Sequence, residues 1–238
     1  MSFFTDRDAE IEVAGRPVPV RFRRNRRARR IILRLDVGSS ESAGVVVTLP
    51  PGASRDEGLN WATCQHAWIA RRLDKLSPRI AFTDGVTVPF IGIDHIIRHA
   101  PGTRRGVWRE AGAIMVSGRP EHFARRLGDW LRREARREIS ELVSAKASAT
   151  GLLPGRISIR DTRSRWGSCA ASGNLNFSWR LILAPEIVLD YVVAHEAAHL
   201  RHANHGDEFW RFAEAMSDDM SKARAWLKAH GEALHRYG

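Results

Sequence analysis

The chain has 238 residues, 43% hydrophobic and 27% charged, a globular composition that excludes long disorder and collagen-like repeats. Thirty-eight basic side chains against 27 acidic ones leave a net charge of +11, and residues 1–150 hold nearly all of the excess, with 27 bases and 17 acids. Two cysteines, Cys64 and Cys169, exclude a disulfide framework. No apolar run reaches the roughly 18 residues a membrane span needs, and the first residues lack a signal-peptide pattern, so a cytoplasmic protein of one or two domains is expected.

In chain order, residues 11–13 and 18–22 flank Gly15-Arg16-Pro17 and read as a hairpin. Residues 21–30, RFRRNRRARR, hold seven arginines. Arginine forks match phosphate oxygens, which makes this run a candidate nucleic-acid surface. A solvated strand edge is the plainer reading, and a single aromatic residue, Phe22, is too few for the stacking platform a nucleic-acid strand needs. Residues 31–35 and 45–49 are further strands rich in β-branched residues. Ser54 and Glu57 form a capping box for a helix running to about Leu76. Its apolar stripe is Trp61, Cys64, Trp68, Ile69, Leu73 and Leu76.

Asp84-Gly85 opens a second β block with strands near 86–91, 94–99, 106–109 and 114–116, in which His95 and His99 read as satisfied or surface residues. Pro120 suits the first turn of a long helix that buries Phe123, Leu127, Trp130, Leu131, Ile139 and Leu142, with Gly151 as its C-terminal cap. Strands near 156–161 and 174–179 follow, then a helix opened by Pro185 and two shorter ones from about Asp207 and Asp219. No internal repeat is evident. The pattern is α+β: a β-rich region with one long helix over residues 1–118, and a second domain over 119–238.

Four of the ten histidines fall in residues 195–205, HEAAHLRHANH. His195 and His199, four apart, lie about 6 Å apart on one helical face and can share a metal ion that suits imidazole, such as zinc. Glu196 can reach a water on that ion and serve as general base. The surrounding residues, Ile187, Val188, Tyr191, Val192, Ala194, Ala198 and Leu200, bury most of the helix, and polar groups there are costly unless paired or metal-bound. A catalytic zinc usually takes a third protein ligand. His202 lies about 10.5 Å along the axis from His195 and His205 about 15 Å, so His205 serves only if the helix stops first. Asn204 and Gly206 offer that stop. Glu208 and Glu214 are in reserve.

The blocks Arg165-Trp166-Gly167-Ser168-Cys169, NFSWRLIL over residues 176–183, YVVAHEAAHL over 191–200, Asn204-His205 and Phe209-Trp210 resemble the YgjP-like (WLM-type) metallopeptidase family, relatives of the SprT-like zincins. The resemblance covers nearly the whole chain. It implies one Zn2+ per chain held by His195, His199 and His205, with Glu196 catalytic. It also implies a minimal zincin-like core over 119–238, with a backing helix, a small antiparallel sheet, the HExxH helix and C-terminal helices. His202 stands where the metzincin pattern has glycine, so that fold is not assumed.

Around the motif, Arg163 and Arg165 are candidates to bind a substrate carboxylate or oxyanion, or to hold their own loop. Cys169 reads as a turn residue that could lend a thiolate to the metal. Trp166, Trp179 and Trp210 read as packing around the zinc helix. Tyr191 lies one turn before His195. Asp190 or Glu186 could orient a ligating imidazole. The strand over 174–179 is the expected edge for pairing with an extended peptide. The leading expectation is a zinc-dependent metallopeptidase acting on peptides or proteins. Its rivals are a nucleic-acid-associated protease recruited through the basic first two thirds, and a binding module or hydrolase of a non-peptide substrate.

Overall fold

The computed structural model describes residues 7–36, 44–74, 79–162 and 165–238. The chain divides into two compact units, Met1–Ser77 and Pro78–Gly238.

The first unit is a four-stranded sheet of β1 (Arg7–Val13), β2 (Arg16–Arg24), β3 (Ile32–Asp36) and β4 (Gly44–Leu49), ordered β1-β2-β4-β3. β1 and β2 are antiparallel across the two-residue turn Ala14-Gly15, both residues at positive φ (51° and 74°), as a type I′ turn requires. β2 runs parallel to β4, and β3 antiparallel to it. Alternate residues Val18, Val20, Val45, Val47 and Leu49 are buried with Ile11, Val13, Ala62 and Ile69 in one core.

The capping box forms as expected, Ser54 N–H donating to Glu57 Oε2 at 2.7 Å and Glu57 N–H to Ser54 Oγ at 3.1 Å. The single helix expected after it is instead two, α1 (Arg55–Cys64) and α2 (His66–Asp74). The face turned to the sheet also differs. Trp61 and Cys64 are exposed, while Gly58 and Ala62 are buried. The reason is close approach: a Cβ at Gly58 would lie 2.7 Å from Leu49 Cδ2. Leu76 lies outside the described residues.

The second unit opens with β5 (Thr87–Phe90), β6 (Ile93–Ala100), β7 (Val107–Glu110) and β8 (Ala113–Ser117), ordered β5-β6-β8-β7. Order and strand senses repeat those of the first sheet: β5/β6 and β7/β8 are antiparallel, and β6 runs parallel to β8. The repeat lies in alternation and turns rather than in residue identity, which is why the sequence hides it.

The expected division after residue 118 therefore differs from the observed one after Ser77. Val88, Phe90, Ile97, Ile114 and Val116 share one core with Leu127, Trp130 and Leu131 of α3 (Phe123–Thr150), which a short 3-10 turn, Pro120–His122, precedes. Gly151, at φ 68°, caps α3 with its N–H on the Ala147 carbonyl.

A three-stranded sheet follows, of β9 (Ile157–Arg160), β10 (Gly167–Cys169) and β11 (Leu175–Ser178), ordered β10-β11-β9. It is mixed, with β10/β11 antiparallel and β11/β9 parallel. β11 is thus the central strand and cannot be the substrate-pairing edge expected of residues 174–179; the edges are β9 and β10. Leu175 and Phe177 do face the core. A 3-10 turn, Trp179–Leu183, leads to α4 (Glu186–Ala198), α5 (Asp207–Ala215) and α6 (Met220–Leu234). This gives an α+β chain in which α3, α5 and α6 enclose α4. No helix among the described residues is long and apolar enough to cross a membrane.

Candidate metal centre

The apolar residues of α4 are buried around most of its circumference: Val188, Leu189, Val192, Val193, Ala194, Ala197 and Ala198. His195 and Glu196 occupy its last turn, and His199 is its C-cap. The helix therefore ends several residues before Asn204 and Gly206, where the stop was expected. The His199 ring makes the stop, its Nδ1 bonding the His202 carbonyl at 3.1 Å. The N–H groups of Leu200, Arg201 and His202 close tight turns onto Ala197 and Ala198. Gly206 instead caps the start of α5 in extended backbone.

The turn carries His205 back over α4, so that the ligand atoms of His195, His199 and His205 all lie within 4.8 Å of one another. Nε2 of His205 faces Nε2 of His195 at 3.1 Å. Two nitrogens on a tetrahedral zinc with bonds of about 2.0–2.1 Å would stand about 3.3 Å apart. With its Nδ1–H donated to the His202 carbonyl, His199 keeps Nε2 free as a lone-pair donor. The other nitrogen of His195, Nδ1, is buried with no hydrogen-bond partner among the described residues. Burial, then the charges of His199 and His205, lower the His195 pKa to about 4; burial also lowers that of His199. Three imidazoles turned on one point are a donor set that suits a divalent transition-metal ion. Phe209, fully buried, backs all three rings at centroid distances of 4.6–5.0 Å.

His202 stays outside this cluster. Its Nδ1 lies 3.8 Å from the Glu208 carboxylate, and its ring packs on Phe212. The reserve candidates Glu208 and Glu214 are both exposed, and neither joins the three histidines.

Glu196 is 7% exposed, and burial raises its pKa to about 7 against two opposing effects, the charge of Arg165 and a hydrogen bond from the Cys169 backbone N–H. Room for the carboxyl comes from Gly167 in β10: a Cβ there would stand 2.5 Å from Glu196 Cγ and 2.6 Å from Oε1. Sequence reasoning missed this role, although Gly167 stands inside one of the blocks it singled out.

Arg165 is exposed and close enough for its charge to act on Glu196. Arg163 lies outside the described residues. A third cation, Arg224 of α6, was not anticipated. Its guanidinium sits 4.9 Å over the Trp210 ring, and its charge acts on His195 and Tyr191. Trp210 packs on His195 and His205, whereas Trp166 stacks on His235 and Trp179 is buried in the core.

Neither residue expected to orient an imidazole does so. Asp190 pairs with Lys146 and accepts the Asp218 N–H at 3.3 Å. Glu186 is exposed in the first turn of α4, about 13 Å along the axis from His195. The Cys169 thiol, its pKa raised by burial and then by Glu196, lies outside the histidine cluster. Beside the histidines opens a cavity of about 690 Å³, its lining including Leu152, Leu153, Cys169, Ala171, His199 and Leu200.

No curated protein and no solved structure matches the chain. The family model described as YgjP-like, metallopeptidase domain, matches residues 33–230. With the match spanning most of its length, the chain belongs to the YgjP-like metallopeptidase family.

Proposed function

We propose that the chain is a zinc-dependent peptidase in which His195, His199 and His205 hold the ion and Glu196 is the general base. The observation that carries this reading is the meeting of three imidazoles, their ligand atoms within 4.8 Å, beside one buried carboxyl. Bound there, zinc supplies Lewis acidity, lowering the pKa of a water and polarising the scissile carbonyl.

The protein's own groups do the rest. The Glu196 carboxyl, raised to about 7 by burial, has a proton affinity matched to neutral pH, where it accepts a proton from the attacking water and returns it to the leaving amine. The Cys169 N–H fixes one carboxylate oxygen while the missing side chain at Gly167 leaves it space. Arg165, at the rim, offers positive charge to the oxyanion or to a substrate carboxylate; Arg163 is proposed for the same task. The cavity beside His199 is open enough to admit a peptide side chain.

The test is turnover of an unfolded protein such as casein. Glu196→Gln should lower kcat about 10²–10⁴-fold, and a strong zinc chelator should abolish wild-type cleavage until zinc is returned. Undiminished cleavage in Glu196→Gln, or in the chelated protein, contradicts the proposal.

A further inference from the structure

The first unit carries a surface that the histidine site does not use. In the order β1-β2-β4-β3, the outer side of β3 is unpaired among the described residues. A groove of about 700 Å³ follows it, lined by residues 30–34 and, from α1, α2 and the residue between them, by Trp61, Gln65 and Trp68. Strand side chains alternate between faces. A groove that touches residues 32–34 of β3 in succession, and residues 30 and 31 just before it, therefore runs along the edge of the strand, where its backbone N–H and C=O groups point, and not over one face.

The walls are apolar and the rim is cationic. Trp61 is 44% exposed, and Trp68 is half-buried with the Arg72 guanidinium 5.7 Å over its ring. Arg30 and Arg34 flank the groove. Neither they nor the exposed Arg26, Arg27 and Arg29 of the preceding turn form an ion pair among the described residues. Phe22 is the one aromatic residue of 21–30, and the helices bring two indoles to the end of that run.

We propose that this edge docks an extended acidic peptide, which adds a strand beside β3. Main-chain pairing would satisfy the free edge, alternate apolar side chains would lie against Trp61 and Trp68, and carboxylates would meet Arg30 and Arg34. The groove follows residues 32–34 of β3, about 10 Å of strand, and the unpaired edge of the strand runs on for two residues beyond it. A single nucleic-acid strand would use the charge and the indoles but leave the edge groups of β3 unmet, and only two arginines line the groove itself. The inference is independent of the reaction proposed at the histidines.

The test uses the full-length chain carrying Glu196→Gln, so that the probe is not consumed, and fluorescence anisotropy of a labelled peptide alternating glutamate with valine. Binding should weaken about tenfold or more with Trp61→Ala and with Arg30→Glu/Arg34→Glu. N-methylation of the peptide amides that face β3 should abolish it, while N-methylation of the opposite set should not. Equal affinity of the two methylated peptides, no binding at about 100 µM peptide, or displacement of the peptide by a tighter-binding oligothymidylate would each overturn the proposal.

Discussion

At the scale of single residues, the arrangement depends on an absent side chain. Gly167 lets β10 pass close enough for the Cys169 N–H to reach Glu196. Gly167→Ala should push the Glu196 carboxyl aside by a sizeable fraction of an ångström, and displacements near 1 Å cost about 10²-fold in rate. The expected outcome is a comparable fall in kcat with bound metal and thermal stability retained; unchanged kcat would contradict it. His195, Glu196 and His199 were legible in the sequence because a four-residue spacing fixes their relation within one helix. His205 was legible because a third donor was needed and the chain offered one. Gly167, Arg224 and the backing ring of Phe209 were not, since their roles arise only when separate elements meet. Asp190 misled for the same reason: its partner, Lys146, is 44 positions away.

At the scale of elements, α4 is held where its apolar packing alone would allow it to slide. Lys146 of α3 reaches Asp190 and the Met216 carbonyl at the end of α5, and Asp190 also accepts the Asp218 N–H. Both side chains of the pair are about nine-tenths buried. Breaking such a pair leaves one charge stranded, at a cost of about 3–5 kcal/mol. Lys146→Met should therefore lower stability by about 3 kcal/mol in denaturant unfolding, and adding Asp190→Leu should restore part of it, because no lone carboxylate then stays buried. A single variant within about 0.5 kcal/mol of wild type would show that the pair does not anchor the helix. Capping signals and alternation made most elements visible in advance, including the Ser54 box and the Gly151 cap. Pairing partners were less visible. β11 reads as an edge strand by its own residues, and only the parallel partner β9 makes it central. The stripe of α1 went astray because small residues, Gly58 and Ala62, outcompeted large ones for the face nearest the sheet.

At the scale of the whole molecule, one strand order occurs twice, in β1-β2-β4-β3 and in β5-β6-β8-β7. Among the described residues, the second sheet shares a core with α3, α4 and α6, and the first sheet forms a core with α1 and α2. Nothing in the sequence signals this difference in allegiance, because both blocks show the same alternation and each opens with a two-residue turn. The chain belongs to a metallopeptidase family, and its fold brings His195, His199 and His205 together, where the proposed chemistry needs them. The most direct test is elemental analysis of the protein purified without added metal, beside His199→Ala and His205→Ala. The account predicts about one zinc per chain in the wild type and its loss from both variants. A metal-free wild type, or zinc retained in full by both variants, would contradict it.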